Sequence, residues 1–433
     1  MQQGQAWGAP LDPRSLPHIP RLRISPAGLT MAANPISDEV LVQKFVELLY
    51  SSPSNGDKEL SQDRLQALRS LVAEYGIPTQ AKLVAISCDH AKGPSSLESE
   101  RIAWLRATIW KIFLGITEVQ STRYVELLRD VHLVWNDAAG GQRALQSAQE
   151  SRTDASRNQR LCVVVNKACD DYRRTPYVDG HDERTKLLRI LCGYLSVQPC
   201  YEQGLNSVAG VFSKVLGEVE AFMALEILMK SKLSRYFADE ADEPTLSPSS
   251  HQSSKKKKKK GKQAVQLLPR DEACVLVEMC VNAKDPELYR HLQKELQGKT
   301  MCLHIAILPL LLSIQTTMYK ALDAILPAWD LLMCFGIHLL PLCLTAYILL
   351  VRDQLLCHKG GEMYSKYFNY NKVSTVAPDV KQLVRRTLSL LDEFRVEPEL
   401  LQLLRLLEAH TSKSVRQEPI FSAHHSKCII CAP

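Results

Sequence analysis

Two short polar motifs carry the residues of this chain that could do chemistry. The first, Asp171-Tyr172-Arg173-Arg174-Thr175, ends a helical pattern directly before Pro176. Because Asp171 and Arg174 are three residues apart, they share a helix face, and the carboxylate can hold the stem of an arginine that projects from the helix end. With Asp170 as the anchor, the projecting residue would instead be Arg173. Alone, this spacing is also typical of a solvated ion pair.

The second motif, Tyr201-Glu202-Gln203-Gly204-Leu205-Asn206, follows about 30 residues later. It comes after a polar break at 196–199 and directly before an apolar helical pattern that begins near Val208. A glutamine at such a loop-to-helix junction can point its amide into a cleft that it shares with another loop. Alone, the same residues are also typical of an ordinary turn.

The elements that must position these motifs are helices. Apolar residues recur at helical spacing over 40–49, 65–72, 187–194 and 383–404, and convincing strand alternation is absent. We therefore predict an all-α fold with roughly a dozen or more helices, since a mean helix spans about 11–12 residues. The chain has no fixed-period repeat, so a solenoid is not expected.

Shifts in composition divide the chain into regions. Residues 1–36 are rich in Pro, Gly and Arg and are predicted to be disordered, with Met31 as an alternative start. The remaining predictions are a helical region over 37–100, a first subdomain with both motifs over 101–238, a Lys-rich flexible insertion over 239–263, a second helical subdomain over 264–410 and a disordered tail over 411–433. The polar stretch 138–158 predicts a further loop.

Charge and cysteine usage narrow the function classes. The net charge of +6 is smaller than the charge of the seven lysines at 255–260 and 262, so the rest of the chain is close to neutral. A general nucleic-acid binder spreads its basic residues over the fold, so no nucleic-acid partner is expected. The lysine run favours a solvated loop, with acidic lipid or nuclear targeting as alternatives. Thirteen scattered cysteines without a secretory signal indicate a reducing, cytoplasmic compartment.

One apolar stretch is a candidate for a membrane span. Residues 331–351 contain no Asp, Glu, Lys or Arg over 21 residues, which is long enough to cross a bilayer. However, Gly336, His338 and Pro341 interrupt the stretch. We therefore expect buried helices and no transmembrane span.

Sequence motifs for nucleophilic, phosphate-cradling or metal-dependent catalysis do not occur in the chain. His424, His425, Cys428 and Cys431 could hold a metal. A second ligand pair in an ordered context is missing, so a loose tail is the better interpretation and no metal site is predicted.

In their order and spacing, the two motifs resemble those of the TBC-domain family, the GTPase-activating proteins that act mainly on Rab GTPases. Asp171 to Thr175 resembles the arginine-finger motif Ile-x-x-Asp-x-x-Arg-Thr, and Tyr201 to Asn206 resembles the glutamine-finger motif Tyr-x-Gln-Gly-Met-Asn. Flanking landmarks are similar to those of the family and lie at Arg106 to Gly115, Tyr124 to Leu128, Glu218 to Phe222, and Trp329-Asp330 with Gly336. The late landmark implies that 331–351 forms buried helices.

The resemblance implies an irregular multi-helix fold in two subdomains and an activator that works in trans. Arg174, or alternatively Arg173, would enter the nucleotide site of a Rab- or Ras-like GTPase and neutralise transition-state charge, which is worth about 10³–10⁵ in rate. Arginine suits this role because it stays charged and presents a planar fork of donors. Gln203 would orient the attacking water. GTP and Mg²⁺ belong to the GTPase, so no cofactor of the chain's own is expected.

Supporting roles also follow from the resemblance. Asp171 would hold Arg174, Thr175 and Asn206 would support the two loops, and Tyr201 and Gly204 belong to the glutamine motif.

The chain departs from the family pattern in two places. Ala168 stands where the arginine motif has Ile, and Leu205 replaces Met. Ala168 and the large insertion leave open a second hypothesis, a non-catalytic TBC-like adaptor that binds a GTPase or a scaffold protein. The continuation into Arg352-Asp353 resembles a narrower branch, the mitotic-exit and septation checkpoint activators of yeasts. That branch implies a scaffold partner and a place at the spindle pole, with membrane association as an alternative.

Overall fold

The apolar periodicity of the sequence is realised as helices throughout the described chain. The computed structural model describes residues 36–50, 61–78, 96–116, 119, 121–130, 167–171, 175–198, 201–232, 269–296, 302–319, 321–369, 378–394 and 397–412. Within these ranges no strand occurs, so the all-α prediction is confirmed. Residues 1–35, the predicted loop at 138–158, the Lys-rich insertion at 239–263 and the tail beyond residue 412 lie outside the described residues.

The α-helices are numbered in chain order. They are α1 (Asp38–Tyr50), α2 (Gln62–Tyr75), α3 (Ser96–Leu114), α4 (Ser121–Asp130), α5 (His181–Val197), α6 (Leu205–Leu216), α7 (Glu218–Ile227), α8 (Pro269–Lys284), α9 (Pro286–Leu296), α10 (Leu303–Leu312), α11 (Leu322–Phe335), α12 (Leu340–Leu350), α13 (Arg352–Leu356), α14 (Gly360–Met363), α15 (Val380–Phe394) and α16 (Pro398–Ser412). Residues 167–171 are also helical, and 3₁₀ turns span Thr316–Met318 and Ile337–Leu339.

Helices α1 and α2 and one face of α3 form an N-terminal cluster around Phe45, Leu68 and Leu105, which are fully buried. Ser61 caps α2 by accepting a hydrogen bond from the Arg64 backbone N–H, which satisfies one of the free donors of the first turn. The cluster also includes Cys334 of α11, so this part of the chain packs on the main body.

The main core is built around three aromatic side chains from three helices. Trp110 of α3, Phe212 of α6 and Trp329 of α11 are fully buried. Trp110 stacks on Trp329 with ring centroids 5.8 Å apart, and Phe212 meets both rings edge-on. Among the described residues, the buried hydrophobic cluster around them has members from Trp110 to Leu407. The helix that follows the glutamine motif is therefore fixed to the centre of the molecule.

A buried ion pair joins the early and late landmarks of the sequence. Asp330 of α11 is fully buried and accepts hydrogen bonds from Arg106 Nε at 3.0 Å and Trp110 Nε1 at 2.8 Å. Arg106 also donates to the carbonyl oxygens of Ile77 and Pro78, at 3.2 Å and 3.0 Å. These landmark residues therefore have a structural role, since they join α3, α11 and the chain after α2.

The apolar stretch 331–351 is divided between two helices. Gly336 ends α11 with a φ of 120°, and a 3₁₀ turn then leads into α12. Residues 331–334 and 337–348 are buried, which confirms the prediction of buried helices. No helix in the described part of the chain is long and apolar enough to cross a membrane.

Candidate functional site

The first motif starts in the helical turn 167–171. Ala168 is fully buried there, and Asp171 is half-buried at the end of the turn. Thr175 is buried where the described chain resumes. Both candidate fingers, Arg173 and Arg174, lie outside the described residues, so the structure describes only the two ends of this motif.

The glutamine motif forms a loop that leads directly into α6. The helix begins at Leu205, three residues earlier than the apolar pattern predicts, so Gln203 and Gly204 lie directly at its N-terminus. Gln203 is exposed, whereas Tyr201, Leu205 and Asn206 around it are buried. The buried neighbours fix the loop, and the exposed residue presents its side chain to solvent.

Position 204 requires a glycine for two reasons, its backbone conformation and the lack of room for a side chain. Its φ of +100° lies in the left-handed region, which favours glycine because L side chains are strained there. A Cβ at this position would also lie 3.1 Å from Cα of Ser313. The loop is therefore seated closely on the segment after α10.

Hydrogen bonds join the two motifs. The Tyr201 hydroxyl donates to Oδ2 of Asp171 at 3.1 Å. Asn206 Nδ2 donates to Thr175 Oγ1 at 2.9 Å and to the Asp171 carbonyl oxygen at 3.3 Å. Thr175 Oγ1 also approaches the Asp171 carbonyl oxygen at 3.4 Å. Residues about 30 positions apart in the sequence thus form one network, and Gln203 lies between two of its members.

Two further contacts reinforce this network. The Lys167 ammonium lies 5.3 Å from the centre of the Tyr201 ring, a cation–π arrangement that holds the ring from the side of the first motif. On the other side, Gly210 of α6 leaves room for Thr175, since a Cβ there would lie 2.8 Å from Thr175 Cγ2. A glycine within the apolar helix pattern is the sequence signal that could have indicated this close approach.

The sequence analysis missed Tyr177, which follows the first motif. Its hydroxyl is hydrogen-bonded to the carbonyl oxygens of Thr316 and Tyr319, the latter at 2.7 Å. Burial raises the pKa of Tyr177 well above its usual range, so the hydroxyl stays protonated and can donate. Its partners lie about 140 residues away along the chain, and no local pattern marks such a contact.

The described part of the site is made of amide, hydroxyl and carboxylate groups. Among the described residues, no group of three or more His, Cys, Asp or Glu side chains is placed to hold a metal ion. The candidate ligands His424, His425, Cys428 and Cys431 lie outside that part of the chain. The site can therefore offer the exposed amide of Gln203 to a partner, close to the motif whose sequence contains Arg173 and Arg174.

An all-helical fold in which an exposed glutamine loop is bonded to Asp171 and Thr175 is the arrangement expected of a TBC-type domain. A family model for the Rab-GTPase-TBC domain matches residues 103–356, more than half of the chain. The protein therefore belongs to the Rab-GTPase-TBC family. The matched range contains both polar motifs.

Two individual proteins illustrate the relationship. A Dictyostelium discoideum protein described as "putative mitotic check point protein BUB2" is 25% identical over 256 residues, which cover 59% of this chain and 55% of that protein. The matched region thus spans about half of the relative's length. The crystal structure of the Ypt/Rab-GAP domain of Gyp1p matches with a TM-score of 0.51 and 14% identity, covering 82% of this chain and 98% of that domain. This second likeness confirms the fold.

Proposed function

We propose that this protein accelerates GTP hydrolysis by a Rab- or Ras-like small GTPase, with Arg174 and Gln203 as its two fingers. The observation that carries the proposal is the network of Tyr201, Asn206, Asp171 and Thr175, which holds the glutamine loop against the motif that contains the arginine. Two groups that act on the same γ-phosphate must lie close together, and the network supports this proposal because it ties both described ends of the arginine motif to the glutamine loop.

The proposed mechanism divides the work between the two motifs. Arg174 neutralises the charge that develops on the transferring phosphoryl group and the leaving oxygen. Gln203 is exposed at the start of α6 and orients the attacking water with its amide. GTP and Mg²⁺ are bound by the GTPase, and the protein itself forms no covalent intermediate.

Single-turnover hydrolysis by a panel of GTP-loaded Rab and Ras-like GTPases tests this proposal. Arg174→Ala is expected to lower the stimulated rate about 10³-fold or more, in line with the value of arginine fingers, and Gln203→Ala to weaken it severely. Both variants should melt like the wild-type protein, because neither side chain is proposed to pack in the core.

Matched controls separate the fingers from their neighbours. Arg173→Ala should retain most of the activity, and the opposite ranking of the two arginine variants would assign the finger to Arg173. Gln402→Ala removes another exposed glutamine, on α16, and should have no effect. GTPase binding without any acceleration by the wild-type protein would instead support the adaptor hypothesis.

We also propose a role in mitotic-exit or septation control, with a scaffold partner and a place at the spindle pole. The support is the likeness to the Dictyostelium protein described as a putative mitotic check point protein. A fluorescent fusion imaged through division tests the location. Uniform signal at the poles and in the cytoplasm through mitosis would contradict it.

A further inference from the structure

Residues 313–319, here called the junction segment, connect α10 towards α11 through the 3₁₀ turn Thr316–Met318. In the described part of the chain, the non-glycine residues with positive φ are Tyr177 at 67°, Ile314 at 49° and Gln315 at 56°. Two of them belong to the junction segment, and the third, Tyr177, is hydrogen-bonded to it. Strained backbone of this kind persists only where the surrounding contacts hold it, and it often marks functional regions.

The junction segment contacts both loops of the candidate site. On one side the Tyr177 hydroxyl shares its single proton between the carbonyl oxygens of Thr316 and Tyr319. On the other side Ser313 lies against Gly204, directly beside Gln203. The segment is itself fixed to the core, because Trp329 Nε1 donates to the Ile314 carbonyl oxygen at 3.2 Å.

Ile314, Met318 and Tyr319 of the junction segment pack in the core, but its polar side chains are placed unfavourably. Gln315, Thr316 and Thr317 are buried. Gln315 Nε2, Thr316 Oγ1 and Thr317 Oγ1 have no hydrogen-bond partner within the described structure. Unsatisfied buried polar groups are unfavourable and uncommon. A strained segment with such groups, placed behind two loops, indicates a role in holding those loops.

We infer that the junction segment positions the two finger loops relative to each other, and that Tyr177 is the positioning residue that links it to the arginine motif. This inference rests on the proposed function for its kinetic consequence. Tyr177 lies three residues after Arg174, and Ser313 contacts the residue after Gln203. One buried segment from the other half of the chain therefore meets both the residue after Gln203 and the stretch that follows the arginine motif.

Tyr177→Phe removes the hydroxyl and keeps the ring, so it tests the link with little loss of packing. In single-turnover assays with a GTPase that the wild-type protein accelerates, we expect kcat to fall about 10- to 100-fold, as expected for misplaced catalytic groups. The half-saturating concentration should change less than about threefold, because the GTPase-binding surface is kept. A raised half-saturating concentration with unchanged kcat would overturn the inference.

Tyr124→Phe is the matched control. Tyr124 is buried, whereas Tyr177 is half-buried, and the Tyr124 hydroxyl donates a hydrogen bond to Glu218 Oε1 at 3.0 Å, between α4 and α7. This variant loses a comparable contact away from the finger loops and should keep the wild-type kcat. Equal losses of kcat in both variants would show a general effect of stability and would contradict a positioning role.

Hydrogen exchange gives a readout that does not need a GTPase. In Tyr177→Phe, amides of 175–180, 201–206 and 313–319 should lose protection together, whereas those of α15 should not change. Unchanged exchange in 201–206 would overturn the coupling of the loops. If the wild-type protein accelerates no GTPase of the panel, the proposed function fails and hydrogen exchange alone decides the positioning inference.

A second variant protects the test against a folding defect. Ser313→Val enlarges the side chain that lies against Gly204 and approaches the same junction from the glutamine side. If Tyr177→Phe lacks a cooperative melt, Ser313→Val should still show the loss of kcat and the increased exchange in 201–206. Wild-type kcat and exchange in a folded Ser313→Val protein would overturn the inference.

Discussion

At the scale of single residues, the proximity of the two motifs depends on where side chains are missing. Gly204 lets the glutamine loop lie on Ser313, and Gly210 lets Thr175 lie on α6. In both places the backbone of the glutamine loop or of α6 approaches another part of the chain more closely than a Cβ would allow. The hydrogen bonds of Asn206 to Thr175 and Asp171 are possible because of this approach.

Gly210→Ala tests this explanation. The new Cβ would lie 2.8 Å from Thr175 Cγ2, so we expect a loss of about 1–3 kcal/mol in the free energy of unfolding, as for other overpacked sites. Urea denaturation followed by circular dichroism measures it. Adding Thr175→Ser removes that methyl group and keeps the hydroxyl that accepts from Asn206, so the double variant should regain much of the loss.

Gly361→Ala is the control for Gly210→Ala, because nothing lies within 4 Å of the Cβ that it adds. It should leave the unfolding free energy unchanged or raise it by about 0.4–1 kcal/mol. The same response at both positions would show that steric contact with Thr175 does not limit residue 210.

At the scale of elements, the Arg106–Asp330 pair sets how α3 meets α11. Burial raises the pKa of Asp330, while the Arg106 guanidinium and the Trp110 indole act in the opposite direction. The carboxylate accepts from both neighbours, and the pair is removed from water. Removing only one partner should therefore lower the unfolding free energy strongly, because the other partner is left as a buried charge without compensation.

We expect Asp330→Leu alone to lower the unfolding free energy by about 3–5 kcal/mol, because Arg106 is left unpaired. The double variant Arg106→Met with Asp330→Leu should lose clearly less, since both charges are gone. Urea denaturation of the three proteins measures the difference. The exposed pair of Lys214 and Glu183 serves as the comparison, because Glu183→Gln should cost only about 0–1 kcal/mol. Additive losses in the double variant would contradict this account.

At the scale of the whole molecule, the sequence predicts the helices well and their distant contacts poorly. Apolar spacing indicates the helix faces, and Gly336 and Pro341 correctly favour two buried helices over one membrane span. The link from Tyr177 to Thr316 and Tyr319 depends on how the two halves pack. No local propensity encodes that packing. The candidate site is intermediate: the motifs predict which residues belong to it, and only packing shows which of them touch.

Stability towards acid also belongs to the scale of the whole molecule, because carboxylates of α7 are hydrogen-bonded to neighbouring helices. Glu218 accepts from Arg189 of α5 and Tyr124 of α4, and Glu226 accepts from Arg123 of α4. Burial opposes the charged forms, but the hydrogen bonds outweigh it and hold the pKa of Glu218 and of Glu226 below the ordinary value of 4.5. Each carboxylate therefore stabilises the fold above the ordinary pKa and loses this effect as the pH falls through its lowered pKa.

Glu218→Gln should therefore melt at a lower temperature than the wild-type protein at pH 7, and the two should converge as the pH falls below 4.5. Glu278→Gln is the opposite control, because burial raises the pKa of Glu278. In the folded wild-type protein the charged form of Glu278 is unfavourable. Glu278→Gln should therefore be at least as stable as wild type near pH 7, and this difference in stability should disappear in acid. Differential scanning calorimetry across this pH range measures both trends. A constant gap between Glu218→Gln and wild type at all pH values would mean that α7 is held by packing alone.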